Sequence, residues 1–178
     1  MSEKNIEVEV RSFITKEQYS KILDFFKENA KLTKEDSQET HYFDCEQDLR
    51  IQKNNSGAKL WLKKGKMHDT TREEIEIKTK GEDFDKLREI FEAVGFKVGV
   101  KWFRDRKQFD FNGIKACLDY TKGYGYILEL EKMSSENEKE KALEELKLKF
   151  KELGIEITPK EKFDEQFDYY KKNWRSLV

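Results

Sequence analysis

Pairs of like-charged side chains separated by one residue recur along the sequence. The clearest pairs are three of glutamates and one of arginines: Glu7/Glu9, Glu74/Glu76, Glu129/Glu131 and Arg104/Arg106. In an extended strand the two members of such a pair point to the same face, about 7 Å apart. Like charges in this arrangement are unfavourable unless an opposite charge or a ligand lies between them. Paired carboxylates suit hard divalent cations, and arginine forks match phosphate oxygens.

The runs around these pairs alternate with period two, which indicates strands with two chemically different faces. The first run sets Val8 and Val10 against Glu7 and Glu9. Similar alternation is found in the segments 49–52, 72–78, 101–111, 114–120 and from 126 onward. The segment 59–64 alternates less cleanly, so it leaves open whether Lys63 or Lys64 lies on the charged face.

Four helices are predicted between these strands from their capping residues and apolar stripes. Thr15 and Gln18 form a capping box that opens a helix over 15–30, and a second helix over 82–94 stops at Gly95. Ser135 with Glu138 is predicted to open the third helix, which runs to Gly154, and Thr158-Pro159 with Glu161 the fourth. Tyr169, Tyr170 and Trp174 are predicted to pack that last helix, with capping of a tunnel mouth as the alternative.

Composition narrows the class of protein. The 178 residues carry 36 basic and 37 acidic side chains, so no global field favours a nucleic acid polymer or an anionic membrane. No apolar run approaches the roughly 20 residues of a membrane span, and no signal-peptide stretch opens the chain. Cys45 and Cys117 are expected to be reduced, structural thiols in a cytoplasmic protein. His41 and His68 are isolated, so a histidine ligand or base is not expected.

The charged strand faces allow two interpretations. One is an antiparallel sheet with helices on its apolar face and water on the other. The second is a closed antiparallel β-barrel of about eight strands, with the charges lining its lumen and the helices packed outside. The segregation of charge into same-sign pairs favours the barrel. We therefore predict an α+β fold in a single domain over 1–178, with a lumen that would suit a complex of metal and polyphosphate.

An ordered series of motifs along nearly the whole chain resembles the CYTH superfamily. This family contains class IV adenylyl cyclases, thiamine triphosphatases and inorganic triphosphatases. The motifs are Glu7-x-Glu9-x-Arg11, the segment 41–44 with 49–51, Leu62-Lys63-Lys64-Gly65, the segment 72–78, the Arg104/Arg106 strand, Leu118-Asp119 and the segment 123–131. The resemblance implies a β-barrel tunnel that binds triphosphate together with Mg²⁺ or Mn²⁺.

The resemblance also implies roles for individual residues. Metal ligands would be Glu7, Glu9, Asp119, Glu129 and Glu131. Phosphate oxygens would be bound by Arg11, Arg50, Lys64, Lys78, Arg104 and Arg106. Glu76 is implied as an orienting or second-metal carboxylate, and Glu76, Lys78 and Arg11 as the catalytic group. The chain departs from the family pattern twice, with Arg11 where lysine is usual and Gln52 where a second arginine often follows.

Three functions remain open on the sequence. Hydrolysis of inorganic or organic triphosphate needs only the phosphate and metal groups named above, so it is favoured. The alternatives are a class IV adenylyl cyclase that converts ATP to cyclic AMP and pyrophosphate, and a non-catalytic nucleotide or polyphosphate sensor. The expected partner is tripolyphosphate, thiamine triphosphate or ATP, and the expected state is a monomer or homodimer.

Overall fold

A computed structural model describes residues 6–64 and 74–178. The described elements, in chain order, are β1 (Ile6–Ile14), α1 (Lys16–Asn29), β2 (Lys31–Phe43), β3 (Asp48–Asn54), β4 (Gly57–Lys63), β5 (Glu74–Thr79), α2 (Asp83–Ala93), β6 (Val98–Phe111), β7 (Ile114–Thr121), β8 (Gly125–Ser134), α3 (Lys139–Glu152) and α4 (Lys160–Leu177). The predicted residues Gly65, His68, Arg72 and Glu73 lie outside the described part of the chain.

The eight strands form one antiparallel sheet in the order β1-β8-β7-β6-β2-β3-β4-β5. The sheet curls into a half-barrel with four helices, so the predicted α+β fold with an eight-stranded antiparallel wall is confirmed. Within the described residues, β1 and β5 are the two edges and no ladder joins them. In the described residues, the half-barrel is therefore continuous in backbone hydrogen bonds from β1 to β5 and open along the seam between these two edges.

Local sequence explains most element boundaries. The side chain of Thr15 accepts a hydrogen bond from the Gln18 backbone N–H, and the Gln18 side chain accepts one from the Thr15 N–H, so the predicted capping box is confirmed. The predicted start of α3 is wrong: this helix begins at Lys139, and Ser135 does not cap it. In α4, Thr158 also does not act as a cap, because its hydroxyl bonds to Ser12 on β1 instead.

Strand β2 was not predicted, although it forms the longest ladder with β6. Its sequence mixes charged and hydroxyl side chains on both faces, so it lacks the apolar half of a period-two pattern. Burial within it falls on polar residues, since Asp36, Thr40 and His41 are all nearly inaccessible. The pairing partners on either side of β2, rather than its own hydrophobicity, hold it in the sheet.

Apolar side chains pack on the outer face of the sheet beneath the helices. The largest cluster joins β1, β7 and β8 to α1 and α3 and is centred on side chains such as Phe26, Leu128 and Phe150. A second cluster packs α4 against the inner face at one end of the sheet, through Trp102, Tyr170 and Trp174. The rest of the inner face is left mainly to the charged residues. Among the described helices, none combines the length and apolar character that a bilayer crossing requires.

Candidate functional site

The inner face of the curled sheet encloses a cavity of about 470 Å³. Side chains of both charges line it. Its cations are Arg11, Lys34, Arg50, Lys59, Lys63, Lys78, Arg104, Arg106 and Lys115, and its carboxylates are Glu7, Glu9, Glu74, Glu76, Asp119, Glu129 and Glu131. Every strand contributes at least two residues to the lining, because the inward positions recur with period two.

Carboxylates concentrate on the wall formed by β1 and β8. One oxygen each from Glu7, Glu9 and Glu131 lie within 4.8 Å of one another. Burial, followed by repulsion from Glu129, raises the pKa of Glu9. The same two causes raise the pKa of Glu131 to about 8. Carboxyls whose ionised forms repel one another in this way are a suitable oxygen ligand set for a hard divalent cation.

Arg106 connects this wall to β7. Its Nε donates to Asp119 Oδ1 at 2.8 Å, and its Nη2 donates to Asp119 Oδ2 at 2.7 Å and to Glu129 Oε1 at 2.8 Å. Burial alone would raise the pKa of Glu129, but the charges of Arg106 and Arg11 outweigh it, so that pKa is lowered. Asp119, predicted as a metal ligand, is engaged instead with guanidinium groups and belongs to neither group of converging ligand atoms found in the described residues.

Arg104 is held by a polar network that the sequence did not reveal. Gln38 Oε1 accepts from Arg104 Nε at 2.8 Å and from Nη2 at 2.6 Å. The side-chain amide of Gln52 donates to Thr40 at 2.9 Å and more weakly to Gln38 at 3.4 Å. Gln52, where the chain departs from the family pattern, is thus a buried side chain. It supports Gln38, which in turn holds Arg104. No sequence signal located this network, because Gln38 and Thr40 are neutral and β2 does not alternate between apolar and polar residues.

Two further arginines reach the cavity from opposite sides. Arg50 forms a paired contact with Asp48, both donor–acceptor distances being 2.5 Å, and its guanidinium lies 4.3 Å from the centre of the Tyr42 ring. Arg11 lies 3.5 Å from Glu9 and 4.9 Å from the ring centre of Phe163 on α4. Both guanidiniums are therefore oriented by an aromatic face as well as by a carboxylate.

Strands β4 and β5 supply the opposite wall. Lys63 lines the cavity and lies 3.2 Å from Glu74, whereas Lys64 is exposed and is not among the lining residues. The structure thus resolves the open choice between the two lysines in favour of Lys63. Lys59 donates to Glu76 at 2.8 Å. Lys78 lies 3.5 Å from Glu76, with 84% of its side chain exposed at the sheet edge.

The structure therefore gathers the predicted site residues, with Lys64 as the exception, around one cavity. Their roles as ligands and catalytic groups remain predictions. Sequence reasoning missed Lys59 and Lys115, although alternation from Lys63 and from Asp119 would place both on the inner face. A tight turn at Gly123 and Gly125 joins β7 to β8, and Tyr124 N–H donates to Thr121 O there at 3.0 Å.

One end of the cavity is aromatic. Its lining there includes Tyr42, Trp102, Tyr124, Phe163 and Phe167, the last two from α4. The packing predicted for the end of α4 is correct for two of three residues. Tyr170 donates to Lys101 O at 2.9 Å and Trp174 to Gly99 O at 3.0 Å, while Tyr169 is exposed.

Comparisons with known proteins agree with this architecture. The chain is 35% identical over 162 residues to a Methanocaldococcus jannaschii protein named "Putative adenylate cyclase", which covers 84% of this chain and 90% of that protein. A conserved hypothetical protein from Pyrococcus furiosus shares the fold with a TM-score of 0.73 and 26% identity, covering 84% of this chain and 91% of the other.

A further solved structure also shares the fold. The structure of a Hippeastrum protein, described as an adenylyl cyclase candidate with a dominant triphosphatase activity, matches with a TM-score of 0.62 at 20% identity, over 85% of this chain and 88% of that one. The model of the CYTH domain matches residues 5–162. The chain accordingly belongs to the CYTH domain family.

Proposed function

We propose that this protein is a divalent-metal-dependent enzyme that hydrolyses a triphosphate inside the half-barrel. The observation that carries the proposal is the division of the cavity into a carboxylate wall on β1 and β8 and a set of fixed arginines facing it. Family membership supports an enzyme that is either an adenylyl cyclase or a triphosphatase.

The residues present fit a hard divalent cation. Glu7, Glu9 and Glu131 would hold it, because their oxygens already converge and burial raises the pKa of both Glu9 and Glu131, so a cation would favour their ionised forms. Such an ion, when bound, neutralises charge on phosphate oxygens during the transfer. Mg²⁺ and Mn²⁺ both prefer oxygen ligands of this kind.

Binding of the polyphosphate would fall to cations that the protein holds in fixed positions. Arg104 is oriented by Gln38 and Arg106 by Asp119, so both present donors without further ordering. Fixed donors stabilise charge that develops on the leaving phosphate. Arg11 also binds charge, but guanidinium does not give up a proton, so it serves no acid or base step.

Orientation of the attacking water is assigned to Glu76. Burial acts to raise its pKa, but Lys59 and Lys78 outweigh this and the pKa is lowered, so the carboxylate is ionised at neutral pH. An ionised carboxylate accepts a hydrogen bond from water and can align it toward the terminal phosphate.

A cyclase is the second candidate, because the aromatic end of the cavity would accept a nucleobase. In that reaction the ribose 3′-hydroxyl attacks the α-phosphate and pyrophosphate leaves. The relative named as an adenylate cyclase also favours this alternative. A sensor without turnover is the third candidate. It is less favoured, because a protein that only binds an anion has no need of the seven carboxylates that line the cavity.

Product analysis separates these functions. The purified protein is incubated with Mg²⁺ or Mn²⁺ and, separately, with tripolyphosphate, thiamine triphosphate and ATP. Orthophosphate release supports the hydrolase, whereas cyclic AMP with pyrophosphate identifies the cyclase. Binding without any product would overturn both enzymes and leave the sensor.

A matched pair of lysine variants tests whether the cavity is the site. Lys63→Met should weaken binding of tripolyphosphate about tenfold, the effect of losing one charged hydrogen bond. Lys64→Met should bind as the unaltered protein does, because Lys64 is not among the lining residues. Equal losses in the two variants would remove the cavity from the proposal.

A further inference from the structure

Cys117 lies on the charged inner face of the sheet, where a thiol is chemically unexpected. It is at the centre of β7, between Lys115 and Asp119, which both line the cavity, and its register partner on β8 is Glu129. The residue is completely buried. Cys45 differs in each respect, since it is only partly buried and its Sγ donates to Gln47 O at 3.1 Å.

The Cys117 sulfur is directed at two carboxylates. Its Sγ and one oxygen each from Glu129 and Glu131 lie within 4.8 Å of one another. Among the residues that the structure describes, the thiol makes no hydrogen bond, so nothing there satisfies it. Sulfur and carboxylate oxygen together suit Zn²⁺ and similar borderline-soft ions, whereas the oxygen set of Glu7, Glu9 and Glu131 suits harder ones.

We propose that Cys117, Glu129 and Glu131 form a binding site for a thiophilic divalent cation of the Zn²⁺ type. This site differs from the oxygen set in its sulfur ligand and in Glu129, and it shares only Glu131 with that set. The two kinds of cation would thus share the Glu131 carboxylate as a ligand. This consequence rests on the proposed function.

The surrounding cations do not block the site. Lys115 contacts Glu131, but its side chain is 42% exposed and can withdraw into the cavity. Arg106 keeps its two bonds to Asp119 if Glu129 turns toward a metal. Once Lys115 no longer contacts Glu131 and Arg106 no longer contacts Glu129, the oxygens of both glutamates are available as ligands.

Binding must release the thiol proton. Burial, together with the nearby carboxylates, raises the pKa of Cys117 to about 12, so the metal-free thiol is protonated. A bound divalent cation favours the thiolate strongly, and a sulfur–metal bond replaces the S–H bond as the thiol proton passes to solvent. A carboxyl proton held by Glu131 is likewise released to solvent when its oxygen binds the metal. The metal keeps its oxidation state throughout.

Cobalt provides the test, because Co²⁺ occupies zinc sites and a thiolate bound to it gives a charge-transfer band in the near ultraviolet. The full-length protein, reduced and free of metal, is titrated with Co²⁺. The band should rise to saturation and should disappear when Zn²⁺ is added. Absence of the band from the unaltered protein overturns the proposal, whatever any variant does.

Three variants locate the sulfur and separate this site from the proposed function. Cys45→Ser should retain the band, and Cys117→Ser should lose it while keeping the circular dichroism of the folded protein. Glu7→Gln should retain it, since Glu7 belongs only to the oxygen set. Loss of the band in Cys45→Ser, or its persistence in Cys117→Ser, contradicts the assignment. Failure of the triphosphate reaction would leave the band unchanged.

Discussion

Arg106 and Asp119 face each other across neighbouring strands and are joined by two parallel hydrogen bonds of 2.8 and 2.7 Å. Asp119 is 2% exposed, so the pair is nearly removed from water. A guanidinium in such a place depends on its carboxylate, because an unpaired buried charge is costly. The pair thus fixes in place a guanidinium to which the proposed function assigns phosphate binding.

Replacing Asp119 with asparagine should lower the free energy of unfolding by about 2 kcal/mol, since a charged hydrogen-bond pair is reduced to a neutral contact. Urea denaturation measures the change. Asp105→Asn is the control, because Asp105 is exposed and its carboxylate accepts a hydrogen bond from Ser37 at 2.7 Å, which an asparagine oxygen can also accept. The control should change stability by no more than about 0.5 kcal/mol. Equal losses would show that the pair is not a stabilising contact.

Gln38→Leu should weaken tripolyphosphate binding about tenfold while leaving the fold intact, because Gln38 orients Arg104 through two hydrogen bonds. Calorimetry of ligand binding and thermal unfolding of the free protein together report the two effects. Gln108→Leu is the matched variant: Gln108 also lines the cavity, but its amide donates to Thr33 at 3.1 Å. If both variants bind equally weakly, Gln38 does not act through Arg104.

His41 should make the protein less stable in mild acid. It is buried against Phe84, and burial lowers its pKa below the ordinary value of 6.5 despite a 2.8 Å contact with Glu39. Between the lowered pKa and 6.5 the unfolded chain binds more protons than the folded protein, so stability falls as the pH falls through that window. His41→Gln should show a smaller loss in denaturation measured from pH 7 to pH 5.

Glu39→Gln should make the loss of stability in mild acid larger, whereas His41→Gln should make it smaller. The Glu39 carboxylate raises the pKa of His41, so its removal lowers that pKa further and widens the window of lost stability. An identical pH profile in His41→Gln and the unaltered protein would rule out His41 as the titrating group.

Gly123→Ala should weaken the packing of the end of α4 against the turn between β7 and β8. Gly123 has φ +73°, and a Cβ there would lie 2.5 Å from Leu177 Cβ and 3.0 Å from Leu177 O. Gly125→Ala is the control, because Gly125 also has a positive φ, +120°, but a Cβ there meets nothing within 4 Å. We expect Gly123→Ala to lose about 1–3 kcal/mol more stability in thermal unfolding, through overpacking. Equal losses would mean that backbone strain alone is responsible.

A strand could be predicted from the sequence where its two faces differ clearly in chemistry. In β1, apolar and charged side chains alternate from Ile6 to Arg11, so both the strand and its inward charged residues could be predicted. In β2 the buried positions are polar, and only pairing with β6 and β3 reveals the strand. Local pattern cannot report such long-range pairing.

The residues of the site could likewise be predicted only in part. Charged pairs such as Glu129/Glu131 were visible in sequence because like charges on one face require a reason. The role of Gln38 was not visible, because a neutral amide carries no such signal and its partner Arg104 is 66 residues away. The position of Asp119 could be predicted, but its engagement by two arginines could not.

The seam between β1 and β5 has a mechanical consequence. With no ladder between these edges in the described residues, the walls can move apart without losing a backbone hydrogen bond. What draws them together is charge, as in the attraction between Glu9 on β1 and Lys63 on β4. A cation bound to the wall of β1 and β8 and a polyanion bound to the wall of β4 and β5 would join the edges. The rigidity of the half-barrel would then come partly from its bound ligands.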